Sequence, residues 1–243
     1  AEQGSPIPPA AIDDLMVTPD EASSVMKTGF PVVDRFNALS ALTTDRPDCG
    51  SVVLPSVATY DRGPYMAAHQ QYLQDSAPWN VQLAQSIAVF PTDDEARDFA
   101  STEMDMWLKC SKHTVHDSAQ WRYAIGSLHR DDDAVVGSYV MITNDGARMS
   151  CSRLLARVRN TATDLRACSA GPESYQRLLG IAKIIGPATT PPSNPPRAGG
   201  SRMFDGWRYR FLPAPPRTGV DPPCSRCCPR SCRWAAVLHR RRR

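Results

Sequence analysis

Eight cysteines are the residues of this 243-residue chain with the clearest chemistry, and they fall into two unlike groups. Cys49, Cys110, Cys151 and Cys168 are widely spaced, each beside a patterned, foldable stretch. Cys224, Cys227, Cys228 and Cys232 crowd into a Pro/Arg segment with no apolar period. The first four read as a disulfide framework, and so as a protein of an oxidising compartment, secreted or in the cell envelope. Four cysteines allow three connectivities, and the residues alone do not choose among them. The second group, with His239, has the residue types of a zinc site. Closed zinc sites, however, space two ligand pairs a dozen or more residues apart on elements that orient them. Here the ligand types share one Pro-rich stretch, so no metal is expected.

Other chemistry is sparse. There is no G-x-S-x-G elbow, H-E-x-x-H, phosphate-binding loop or G-x-G-x-x-G. No catalytic residue and no cofactor are therefore expected. His69, His113, His116 and His129 are scattered, and His113 and His116, in what reads as a surface connection after Cys110, are expected to be solvated. Asp131, Asp132 and Asp133 lack the alternating acids and mid-loop glycine of a calcium loop, and read as a charged turn. The better lead is a polar-aromatic stretch containing Gln71, Tyr72 and Asn80, from which Tyr60, Tyr65, Gln70, Trp79 and Gln82 are the candidate ligand-binding residues. Rings with polar tips beside amides suit a neutral, hydroxyl-rich or amphiphilic ligand. The competing reading is core aromatics with surface glutamines.

Residues 1–11 are Pro-rich and read as a flexible, solvated lead-in. T-P-D-E at 18–21 combines an N-cap Thr18, Pro19 at N1 and Glu21 at N3, which predicts a capped helix closing at Gly29. T-D-D-E at 92–95 predicts a second, running to about Cys110 and burying Ala96, Phe99, Ala100 and Trp107. Val81, Leu83, Ile87 and Val89 alternate as a half-buried strand does, and Trp121, Tyr123 and Ile125 alternate the same way. Residues 134–143 and 147–155 flank N-D-G at 144–146, a hairpin signal in which Asp145-Gly146 can take positive φ. A short strand over 161–168 follows. Pro172 opens a last amphipathic helix, with Tyr175, Leu178, Leu179, Ala182 and Ile185 inward. This order predicts an α+β domain over 12–186 with a mainly antiparallel sheet.

Residues 187–243 are a different object. They hold twelve arginines, no lysine and two acidic residues, a net of +10, whereas the body carries −7 of the chain's overall +3. The mildly acidic body argues against a nucleic-acid partner. The tail's vocabulary of Pro, Arg, Ser, Cys and Gly predicts disorder and matches an out-of-frame reading of GC-rich DNA. No apolar run reaches the ~18–20 residues of a transmembrane segment. No initiator Met or signal-type leader precedes the body, so the chain reads as a processed form.

P-D-C at 47–49, V-F-P-T-D-D-E-A-R-D-F at 89–99, W-L-K-C at 107–110, Trp121, Cys151, A-R-V-R-N at 156–160 and A-C at 167–168 together resemble a known family. It is the extracellular sensor domain of mycobacterial protein kinase H, shared by mycobacterial lipoproteins and secreted sensor-domain proteins. The likeness covers about residues 12–186. It implies one α+β domain with a twisted antiparallel sheet, a broad polar cleft, and disulfides Cys49–Cys110 and Cys151–Cys168. The expected function is therefore that of a secreted or cell-envelope, sensor-like binding domain. It would capture a small or amphiphilic ligand, or a partner protein, in a polar cleft. An envelope hydrolase and a structural interaction module of the envelope are the alternatives.

Overall fold

A computed structural model describes residues 5–39, 43–54, 63–76, 80–170 and 174–185. The fold is one eight-stranded sheet, antiparallel at every pairing, with helices on both faces. In chain order the strands are β1 (Val32–Phe36), β2 (Ala67–Gln74), β3 (Val81–Val89), β4 (Thr114–His116), β5 (Arg122–Arg130), β6 (Ala134–Ile142), β7 (Arg148–Val158) and β8 (Thr161–Ser169). They lie side by side as β1-β2-β3-β8-β7-β6-β5-β4. The helices are a 3-10 turn (Pro9–Leu15), α1 (Pro19–Met26), the single turn α2 (Gly50–Val53), α3 (Asp93–Lys109) and α4 (Ser174–Ile185). α3 carries the chain from the central strand β3 to the far edge, β4. The predicted α+β class and antiparallel sheet are observed, and β1, β2 and β4 are additions to the strands predicted.

Both predicted helix starts form. Thr18 accepts from the Glu21 N–H while Glu21 accepts from the Thr18 N–H, the complete capping box. At α3 the Thr92 hydroxyl accepts from the Glu95 N–H at 3.1 Å, and Glu95 answers the hydroxyl. α1 stops earlier than predicted because Lys27, at φ 57°, takes the left-handed position expected of Gly29. Replacing Thr18 by Ala is expected to cost about 1 kcal/mol, read from urea unfolding. The box also holds the Glu21 carboxyl below its usual range. This share of stability is present above the unfolded carboxylate pKa and fades as pH falls through the lower folded one.

The N-D-G hairpin closes through Thr143 N–H to Ala147 O and Gly146 N–H to Thr143 O. Only Gly146 has positive φ (84°), the glycine position of a three-residue hairpin loop, and Asp145 does not need it. β3 differs from the half-buried strand predicted. It sits between β2 and β8 and is covered on both faces, so all nine residues are buried. In α4 the inner stripe runs through Leu178, Ile181 and Ala182, with Tyr175 and Ile185 partly buried beside it. Ile181 takes the fully buried place assigned to Leu179, and Pro172 lies outside the described residues.

Two cores fill the two faces. On one, α3 lays Phe99, Met104 and Trp107 over Val135, Tyr139, Cys151, Leu155 and Cys168. On the other, Ala22 and Met26 of α1 and Leu178 and Ile181 of α4 pack on Leu73, Leu83, Leu154 and Leu165. The lead-in is partly fixed, because Asn160 binds both backbone groups of Ile7 and the carbonyl of Phe90. Asn160 ends one motif of the resemblance and Phe90 is the second residue of another, so the two meet at one buried point.

Candidate functional site

Directly opposed residues of an antiparallel pair point to the same face, and the register therefore lays three rows across the α3 side. One row is Gln70, Ser86, Asp164, Leu155 and Val135. The next is Tyr72, Ala84, Arg166, Arg153 and Gly137. The third is Gln74, Gln82, Cys168, Cys151 and Tyr139. The two predicted disulfides are present, Cys49–Cys110 and Cys151–Cys168. The second sits within the third row as a directly opposed pair.

Most polar side chains of these rows are buried, with Tyr72 and Gln74 half-buried at the β2 end. Arg153 is fully buried, its Nη2 donating to Asp164 at 2.8 Å and to the Ser51 carbonyl at 3.0 Å. Its guanidinium also lies 5.0 Å from the Trp107 ring, a favourable cation–π geometry. The Ser51 carbonyl belongs to α2, immediately after Cys49. Tyr139 donates to the Val53 carbonyl of the same turn at 2.9 Å. The Cys49–Cys110 disulfide thus holds the turn that receives two buried sheet side chains. Burial pushes the Asp164 carboxyl up to about 6, against the pull of Arg153 and Arg166. Burial likewise pushes the Tyr123 phenol up, helped by its hydrogen bond to Asp117 at 2.7 Å.

Of the candidate ligand residues, Gln70 and Gln82 are brought to this face, one in each of two rows. Gln70 donates to the Ser86 hydroxyl at 2.9 Å. Gln82 accepts from Arg166 at 3.4 Å. Tyr65 is half-buried against the α3 core. Tyr60 and Trp79 lie outside the described residues. Gln71 faces the other way, donating to the Val17 carbonyl and accepting from Arg35. A separate cavity of about 230 Å³ opens beside α3, lined by Gly63, Pro64, Glu95, Asp98, Phe99, Thr102 and Glu103.

The charged members Arg153, Asp164, Arg166 and Glu103 were not among the sequence candidates. A signal for three of them was present: Arg153 shares strand parity with Cys151, and Asp164 and Arg166 share it with Cys168, so a buried cysteine implies inward charges. The histidines stay apart. His69 pairs with Asp13 at 2.7 Å and His116 with Asp45 at 2.9 Å, and among the described residues no histidine ring bonds a serine or cysteine side chain. Asp131–Asp133 form the turn between β5 and β6.

Known proteins share this architecture. The chain is 26% identical over 152 residues to serine/threonine-protein kinase PknH of Mycobacterium bovis, covering 60% of this chain and 25% of the kinase. The Mycobacterium tuberculosis kinase of that name matches at 26%, over 60% of this chain and 24% of its own length. The chain thus spans about a quarter of these kinases. The crystal structure of the extracellular domain of PknH from Mycobacterium tuberculosis superposes with a TM-score of 0.64 at 19% identity, covering 74% of this chain and 97% of that one. That likeness is one of fold. The family model described as the PknH-like extracellular domain matches residues 7–185, the whole of the sheet with its helices. An extracytoplasmic, disulfide-stapled sensor domain accounts for the fold, the pairing of Cys49, Cys110, Cys151 and Cys168, and the meeting of Phe90 with Asn160: the chain belongs to the PknH-like extracellular domain family.

Proposed function

We propose that this sensor-like domain acts by binding, capturing a small or amphiphilic envelope ligand in a polar cleft on the α3 side of its sheet. The observation that supports this reading is the chemistry of the three rows. Arginine, glutamine and tyrosine side chains are gathered where a purely structural sheet face would place aliphatic residues. Buried polar groups cost stability unless bonded, so a fold that keeps them on one face has a use for them. Tyr60, Tyr65, Gln70, Trp79 and Gln82 remain the proposed ligand contacts. The domain is distinct from a kinase catalytic domain, and binding requires no catalytic group.

A protein partner is the second reading, favoured by β1. This edge strand is exposed throughout, with Val32, Val33 and Phe36 open to solvent, and an open edge is a template for strand addition. The two readings separate by experiment. Purified protein is incubated with mycobacterial envelope extract, repurified, and its bound small molecules identified by mass spectrometry. Reproducible recovery of one compound class supports ligand capture. Repeated recovery of nothing, with a stable protein complex by size exclusion, moves the function to β1.

A further inference from the structure

Arg166 is a buried guanidinium of the α3 face that has no ion pair of its own among the described residues. A guanidinium offers five N–H donors. Among the described residues Arg166 makes a long hydrogen bond of 3.4 Å from Nη2 to Gln82 and a contact with the Tyr139 hydroxyl, and its Nε has no partner. It forms no ion pair among those residues, although it is only 6% exposed. The neighbouring carboxylate on its own strand, Asp164, is committed to Arg153 at 2.6 Å. Arg153 also leaves Nε and Nη1 unpartnered, but its charge is met by Asp164. Asp164 also feels the charge of Arg166, so two buried guanidiniums share that carboxylate and an incoming anion would balance the second.

The surroundings of Arg166 fit one kind of anion. Tyr72 is half-buried, its ring centroid 6.0 Å from the guanidinium carbon. The ring of Phe36, 45% exposed, stands edge-on to Tyr72 at 6.2 Å. A row of two aromatic rings, on the same face of the sheet as Arg166, thus leads in from the exposed strand β1. At its inner end the Gln82 amide stands beside the guanidinium. Donors at the deep end and rings at the outer end match a molecule with an anionic head and an apolar body.

We propose that Arg166 anchors the carboxylate or phosphate head of an amphiphilic ligand, with Tyr72 and Phe36 beneath its apolar part. The inference rests on the ligand-capture reading and adds the sign of the ligand's charge. Free anion and lipid head share this chemistry, and the probes tell them apart.

The test is calorimetric titration of the full chain with lauryl phosphate, laurate, the neutral lauryl maltoside and inorganic phosphate. Wild type should bind the two anionic amphiphiles about tenfold or more tightly than lauryl maltoside. Saturation by inorganic phosphate alone with equal affinity would assign the site to a free anion. Arg166→Gln should remove this preference, and its melting temperature without ligand should stay equal or rise, because the second guanidinium sharing Asp164 is gone. Arg166→Lys keeps charge without the fork and should bind lauryl phosphate with intermediate affinity. If Arg166→Gln does not fold, the lysine variant and the charge preference of wild type still decide. Binding of anionic and neutral amphiphiles within twofold of each other, unchanged by substitution, overturns the anchor but leaves the cleft. Failure of every probe to bind wild type, together with nothing recovered from envelope extract, overturns both.

Discussion

The double variant Cys49→Ser, Cys110→Ser should lose about 4 kcal/mol of folding stability in the chain-entropy view of cross-links. The disulfide closes a sequence separation of 61 residues, so its removal restores a large loop to the unfolded ensemble. A second effect works in the folded state. The turn after Cys49 supplies the Ser51 and Val53 carbonyls that receive Arg153 and Tyr139, and a loosened turn strands both donors. The Cys151–Cys168 pair closes only 17 positions. Its partners are already held opposite each other by the β7–β8 ladder, so about 3 kcal/mol is an upper value for it. Guanidinium unfolding of the two double variants, beside wild type in reductant, checks the order. A loss below about 1 kcal/mol for the Cys49–Cys110 variant would exclude the cross-link as a main support.

What the sequence made readable was mostly local. Thr18 with Glu21, Thr92 with Glu95, and Gly146 at its turn each need only three or four neighbouring residues, and each forms where expected. The disulfide pairing came from the family resemblance rather than from spacing. β2 escaped notice because A-A-H-Q-Q-Y-L-Q has no clean apolar alternation. Its amides are satisfied by partners far along the chain, Gln71 by Val17 and Gln70 by Ser86. No window of ten residues contains that information. β1 escaped for the opposite reason, as an exposed edge that needs no buried pattern. The site suffered most, because its charges break the rule that Arg and Asp lie outside. Arg153, Asp164 and Arg166 become interior residues only once strand parity with the cysteines is combined with a helix covering that face. Tyr65 and Gln82 are candidates because amides and rings suggest binding, and their role as ligand contacts belongs to the proposal.

Asp164→Ala should destabilise the domain by about 3–5 kcal/mol, because it leaves the Arg153 cation buried without its partner. Two related variants and a pH series test the cause. Asp164→Asn keeps a carbonyl that can accept from Arg153 Nη2, so its loss should be much smaller than that of alanine. The paired change Arg153→Met, Asp164→Leu removes both charges and should recover most of the alanine loss, since well-packed apolar pairs commonly replace buried ion pairs at little cost. pH supplies the third line. Burial raises the Asp164 carboxyl to about 6 in the folded protein, whereas an unfolded aspartate titrates near ~3.9. Between those values the folded state binds the proton more tightly, so the Asp164 contribution is greatest below about pH 4 and is lost as pH rises through about 6. Wild type should therefore lose stability relative to Asp164→Asn across that window and hold a constant difference above it. Urea unfolding at several pH values between the two limits reads this directly. A difference that instead widens in favour of wild type as pH rises would mean that pairing with Arg153 outweighs desolvation. Stability of Asp164→Ala within about 1 kcal/mol of wild type would mean that the pair contributes little to the fold.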